Sequence, residues 1–239
     1  MNWKQALASL LYGGSGRAVG DDKAAGQPLD EVFTRVYRER LWGFPKPWKR
    51  SKFFSGPGSH EVEIINPYIE AVQAFVQPRA TMNAVDLGCG DFNVGGRIRK
   101  SFNRYTACDI VSELIQHNKR SYADMDVEFC CINISTDPLP SGDIVFLRQV
   151  LQHLSNEQIG HVVAKLQNYR FLVLTEHLPD KRVFTPNLDH VSGSGLRLAR
   201  DSGVVLTCAP FNLQVKSHAT LCSVRHFGGV IQTDVYELQ

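Results

Sequence analysis

Between residues 83 and 176 a short β-branched or apolar run is followed by a helical stretch, several times over. The runs are 83–87, 105–110, 127–132, 143–147 and 171–175, with helical periodicity over 95–102, 112–122 and 156–166. Strands spaced by helices cannot pair as hairpins. They pair in parallel through crossovers, and the right-handed rule then stacks helices on both sides of the sheet. The pattern predicts an α/β, Rossmann-like, doubly wound and mostly parallel sheet of about seven strands. A long polar loop follows Glu176, and then the strand-like stretches 203–210, 212–224 and 230–238. Their close spacing predicts an antiparallel C-terminal strand.

Upstream, Val62, Ile65, Ile69, Val72 and Val76 mark one apolar face of a helix over 61–77, with Pro67 near its first turn or kinking it. A shorter helix is expected over 28–42. The rest of 1–60 is irregular, glycine-rich at 13–20 and aromatic and basic at 42–59, which reads as an N-terminal extension and lid without a core segment. Residues 61–239 then form the main domain. No run approaches the roughly 20 apolar residues a membrane span needs. Gln5 and Ser9 interrupt the apolar start, which argues against a secretion signal. Lys+Arg of 26 against Asp+Glu of 24 leaves a charge of +2, which disfavours nucleic acid as a partner. The six cysteines form no CxxC pair and read as buried thiols, Cys130 and Cys131 as core fillers, in a reducing, cytoplasmic setting. The histidines show no metal spacing, so no metal site is expected. A monomer or homodimer is expected.

In NAVDLGCGDFNVGGRI an apolar run leads into Gly88, Gly90, Gly95 and Gly96 and then into a helix. Glycines there let backbone approach a ligand closely. The third glycine of a dinucleotide fingerprint falls on Asn93, which leaves DxGxG with Asp109 closing the next strand. Such an acid can accept both hydroxyls of a ribose. A tight strand-to-helix loop of another doubly wound protein is the bland alternative.

Asp86-Leu-Gly88-Cys-Gly90, with Asp109, resembles the class I S-adenosylmethionine-dependent methyltransferases. The resemblance extends to a bacterial-type subgroup through Ser55-Gly-Pro-Gly-Ser59, Cys89-Gly-Asp-Phe-Asn93, Asp109-Ile-Val111, Asp137-Pro-Leu-Pro140, Arg148 with Leu151, His153, Leu154 and Ser155, and Pro210-Phe-Asn212. It implies S-adenosyl-L-methionine as cofactor, its methionine part lined by Gly88, Cys89 and Gly90 and its ribose held by Asp109. Asp86, Asp91, Asn93 and Ile110 belong to the same implied site. A third glycine frequent in that family falls on Phe92, whose ring can pack near the cofactor. Asn133, flanked by Ile134, stands where the family carries an acid for the adenine amine.

Arg148 and Gln149 end the fourth strand, where ligands bind in such sheets, and the cation is read either as a cofactor contact or as one half of an internal ion pair, for example with Glu176. His153, His177 and Glu176 are the candidates for base and helper, with a packed structural role equally open for His153. Ser55, Gly56, Gly58 and Ser59 suit a flap over the site or a solvated loop. Lys46, Trp48, Lys49, Arg50, Lys52 and Phe53 suit either that flap or a grip on nucleic acid. Asn187 and Arg197, in the segment 177–203, are expected over the acceptor, whose polarity suggests a small polar molecule. An RNA or protein methyltransferase, or a non-catalytic cofactor-binding member, are the competing readings.

Overall fold

In the computed structural model, which describes residues 26–45, 51–79 and 81–238, seven strands form one sheet. They are β1 (Ala84–Leu87), β2 (Tyr105–Asp109), β3 (Glu128–Cys131), β4 (Ile144–Arg148), β5 (Phe171–Pro179), β6 (Ser217–His226) and β7 (Gly229–Glu237). Their order is β3-β2-β1-β4-β5-β7-β6, and β7 runs against its neighbours. This is the doubly wound, mostly parallel sheet expected from the alternation. The helices are α1 (Leu29–Arg38), α2 (Val62–Val76), α3 (Gly95–Ile98), α4 (Ser112–Ser121) and α5 (Asn156–Leu166).

Successive side chains of a strand face opposite layers, and both layers here are apolar. Val85 and Leu87 join Leu114, Ile159, Val162 and Leu166 on one face. Ala84 joins Ile65, Val72, Val76 and Ile98 on the other. Burial on both faces is why the central strands read as continuous apolar runs. At the start of α5, Ser155 and Gln158 form a reciprocal capping box, which fixes where the chain after β4 turns back along the sheet.

Four expectations need correction. Residues 29–54 do contribute to the core: Leu29, Val32, Phe33 and Val36 are buried at helical spacing on α1, and Phe53 joins the layer that holds Val85. In α2 the apolar face is centred on Ile65, Tyr68, Val72 and Val76, with Val62 exposed, and the helix continues unbroken through Pro67. Residues 203–210 form no strand. The Asn187 side chain takes the N–H and carbonyl of Val205, so that segment has no free edge to pair. Cys131 is exposed because β3 is an edge strand. The signal-like start and Lys46, Trp48, Lys49 and Arg50 lie outside the described residues.

No helix among the described residues is long and apolar enough to cross a membrane. If the N-terminal segment is part of the core, Phe53→Ala lowers unfolding stability by about 3–5 kcal/mol in urea titration. A tail residue would leave it within about 0.5 kcal/mol.

Candidate functional site

Strand order reverses between β1 and β4, so a crevice opens beyond their carboxyl ends. Leu87 leads there into Gly88 (φ +76°) and Gly90 (φ +56°), a backbone path that a side chain would strain. The close approaches are equally restrictive. A Cβ on Gly88 would stand 2.5 Å from Val150 Cγ2, and one on Gly90 would collide with Ser55 Oγ.

The turn is tied to the next strand. Gly90 N donates to Asp109 Oδ2 at 3.0 Å and Val111 N to Oδ1 at 3.0 Å, while Asn118 Nδ2 donates to Gly90 O at 2.7 Å. Burial pushes the Asp109 carboxyl up to about 6, against the opposing pull of these N–H donors. Each oxygen keeps a lone pair for a further donor. Asp86 Oδ2 accepts from Tyr105 Oη at 3.1 Å, and burial raises its carboxyl to about 7 despite that bond and the nearby Arg148. Burial likewise raises the Cys89 thiol, which keeps it protonated.

Phe92 corrects one expectation. Its ring is fully buried, edge-to-face with Tyr105, Tyr122 and Phe129 at 5.0–5.6 Å, and faces the core rather than the crevice. Its backbone adopts the left-handed conformation (φ +58°) that glycine favours, at a cost of about 1–3 kcal/mol that the ring's burial offsets. After β3, Asn133 Oδ1 accepts from Ser135 N and Oγ, and Asp137 Oδ2 caps Asn133 N at 2.9 Å. Ile134 is buried beside them, and Ile110 packs against the same layer.

Residues 55–60 lie across the glycine turn as a strap. Asp91 Oδ2 accepts from Ser55 N at 3.1 Å and from His60 Nε2 at 2.6 Å, and Asp91 N donates to Ser55 Oγ at 2.8 Å. Tyr37 Oη lies 3.0 Å from the same Ser55 Oγ, and Asn93 Nδ2 donates to Ser59 O at 2.6 Å. At the end of β4 Arg148 donates to Gly58 O (2.6 Å) and to Ser59 Oγ (3.2 Å), with its guanidinium 5.0 Å from the centre of the Tyr68 ring. Arg148 therefore grips the strap and does not pair with Glu176. Gly58 packs directly on the Gln149 amide, whose buried Nε2 has no partner, and Gly56 lies against Trp42. His60, Tyr37 and Trp42 were not singled out by sequence reasoning. Only the position of His60 directly after Ser59 hinted at it.

The groups after β5 are committed to structure. Glu176 accepts from Leu151 N (3.2 Å) and Gln152 N (3.1 Å), and its carboxyl is raised to about 8 by burial while Arg197 and these N–H groups oppose the rise. His153 Nδ1 bonds to Gly195 O at 3.1 Å and its Nε2 faces Gln152 Nε2 at 3.3 Å. His177 Nε2 donates to His226 O at 2.8 Å. Burial lowers both imidazoles to about 4. This corrects the expectation of either as a base: the nitrogens are engaged and poorly basic. Arg197, fully buried, donates to Leu188 O and Leu154 O, and Asn187 bonds to Val205 and Ala209. Both hold the 177–203 segment together rather than face an acceptor.

Residues 84–169 match the model of a methyltransferase domain family. Among solved structures, an N-methyltransferase from Bradyrhizobium japonicum in complex with S-adenosyl-L-homocysteine superposes with a TM-score of 0.59 at 12% identity, over 86% of this chain and 100% of that one. The magnesium protoporphyrin IX methyltransferase of Synechocystis with bound S-adenosylmethionine gives 0.55 at 12%, over 89% and 99%. An S-adenosylmethionine-dependent methyltransferase from Leishmania major gives 0.60 at 16%, over 91% and 89%. These likenesses establish a shared fold. A search of curated proteins finds no match.

His153 and His177 carry a pH signature. Their folded values lie below the ordinary 6.5, so the native state binds fewer protons than the unfolded one. The resulting stability is fully present above about pH 6.5 and is lost as pH falls towards 4. Their ring signals in NMR should stay those of neutral imidazole down to about pH 5. Titration of either near 6.5 would contradict the burial argument.

Proposed function

We propose that the protein is an S-adenosyl-L-methionine-dependent methyltransferase acting on a small polar acceptor. The carrying observation is the left-handed glycine turn at Gly88 and Gly90, whose N–H is held by the acid that closes β2. The methyltransferase domain match over 84–169, which contains both, supports the same reading.

The residues present fit the cofactor. Asp109 retains lone pairs for the ribose hydroxyls, and Ile110, Asn133 and Ile134 stand beyond β2 and β3, where an adenine would lie. Gly88, Cys89 and Gly90 leave room for the methionine part. The partnerless Nε2 of Gln149 is a donor awaiting an acceptor. When bound, the cofactor supplies a methyl group on a positively charged sulfur. The chain's own contribution is to align the reactants and to keep water out under the strap Ser55, Gly56, Gly58 and Ser59. With His153, His177 and Glu176 committed elsewhere, the site suits a nucleophile that arrives unprotonated, such as a neutral amine.

The nucleic-acid reading loses two of its supports. Lys52 Nζ lies 3.1 Å from Glu113 Oε2, and Phe53 is buried in the core rather than offered for base stacking. Calorimetry should detect S-adenosyl-L-homocysteine binding, weakened in Asp109→Asn by about 3 kcal/mol, on the order of a hundredfold, as two charge-assisted hydrogen bonds are lost. A wild-type protein that shows no binding would remove the proposal.

A further inference from the structure

The hydrogen bonds between strap and glycine turn converge on one carboxylate. Asp91 Oδ2 receives two strap donors, Ser55 N and His60 Nε2, and Oδ1 receives Asn93 N at 3.3 Å. Both oxygens are acceptors in these contacts, so the imidazole is the donor in its 2.6 Å bond. His60 has no other polar anchor: Nδ1 is buried without a partner, and the ring stacks on Phe54 at 4.6 Å. Asp91 thus grips both ends of the strap, the first residue at Ser55 and the residue after Ser59. Its own N–H answers with the bond to Ser55 Oγ, which stands where a Gly90 side chain would be.

We propose that Asp91 and His60 form a latch that holds residues 55–60 closed over the glycine turn and thereby sets the rate at which the cofactor is exchanged. The inference rests on the cofactor reading above and assigns Asp91 a different role from a cofactor ligand. Asp91 and His60 are positioning residues that act through Ser55 and the strap. The geometry gives the reason. The strap crosses Gly90 and, through Gly58, packs on Gln149, so it covers the crevice between β1 and β4 from one rim to the other. A ligand seated under it leaves when the strap lifts, and lifting breaks the bonds to a buried carboxylate, which are stronger than neutral ones. Arg148 holds the opposite edge through Gly58 O and Ser59 Oγ, so loss of the latch frees one side of the strap and leaves the other attached.

The test compares wild type, Asp91→Asn, His60→Ala and His60→Gln in two measurements: hydrogen exchange of the backbone amides of 55–60, and release of labelled S-adenosyl-L-homocysteine in a chase. His60→Ala and Asp91→Asn should lose amide protection across the strap and release the ligand at least tenfold faster. His60→Gln, which keeps a side-chain N–H of similar reach, should restore much of both. A merely structural role would move thermal stability without this recovery. Unchanged exchange and release in His60→Ala overturn the latch, and that variant keeps the test decisive if Asp91→Asn fails to fold. A wild type that binds no S-adenosyl-L-homocysteine overturns the cofactor reading and the gating role with it. The exchange data still decide whether the strap is tied.

Discussion

The site depends on the absence of side chains at Gly88 and Gly90. Because nothing projects from the backbone there, Val150 after β4 and Ser55 of the strap approach it to contact distance, and the Gly90 N–H reaches Asp109 at the end of β2. Three strand ends and the strap are therefore registered against one bend. The cost is conformational, since glycine loses more freedom on folding than any other residue. The contacts around it must supply the rigidity: Asn118 on the carbonyl of Gly90, Asp109 on its N–H, and Tyr122 Oη on the carbonyl of Asp91 at 3.0 Å.

Arg148 couples this bend to the layer beneath. A guanidinium buried at a strand end is expensive unless its donors are used, and here two are spent on the strap while its face lies over Tyr68 from α2. Its charge also opposes the rise that burial imposes on Asp86. One cation thus serves a carboxylate of β1, an aromatic of α2 and the carbonyl of Gly58. The strap is continuous with the fold's electrostatics rather than laid over a finished domain, in keeping with the buried places of Val36 and Phe53 in the core.

How much of this the sequence disclosed follows from how local each signal is. The central strands were legible because both their faces are buried and their residues run apolar without interruption. α5 was legible because Ser155 and Gln158 announce its start. Gly88, Gly90 and Asp109 were legible because the need for a bare backbone and an acid at fixed spacing is written in neighbouring residues. The strap's partners were not. Asp91 and His60 are 31 residues apart, and nothing local says that a carboxylate beside a glycine turn will take an imidazole from upstream. The fates of His153 and His177 were equally hidden, because a histidine after a strand reads the same whether its nitrogens face a ligand or the carbonyls of Gly195 and His226. Residues 203–210 carry β-branched residues suited to a strand, but a single side chain, Asn187, takes their pairing groups.

The commitment of the groups after β5 also bears on what kind of catalyst this architecture can be. General-base assistance contributes on the order of 10² to 10⁴ in rate, about 3–5 kcal/mol. Holding two reactants in line can contribute about 7–11 kcal/mol in favourable models. A fold that spends Glu176 on Leu151 and Gln152, His153 on Gly195 and Arg197 on Leu154 and Leu188 uses those polar groups to fix the walls of the crevice. It gives up the smaller term and strengthens the larger one, because rigid walls and a tied strap preserve alignment. For transfer of a group from a positively charged sulfur, the charge disappears as the new bond forms, so precise placement is the form of help the reaction can use most.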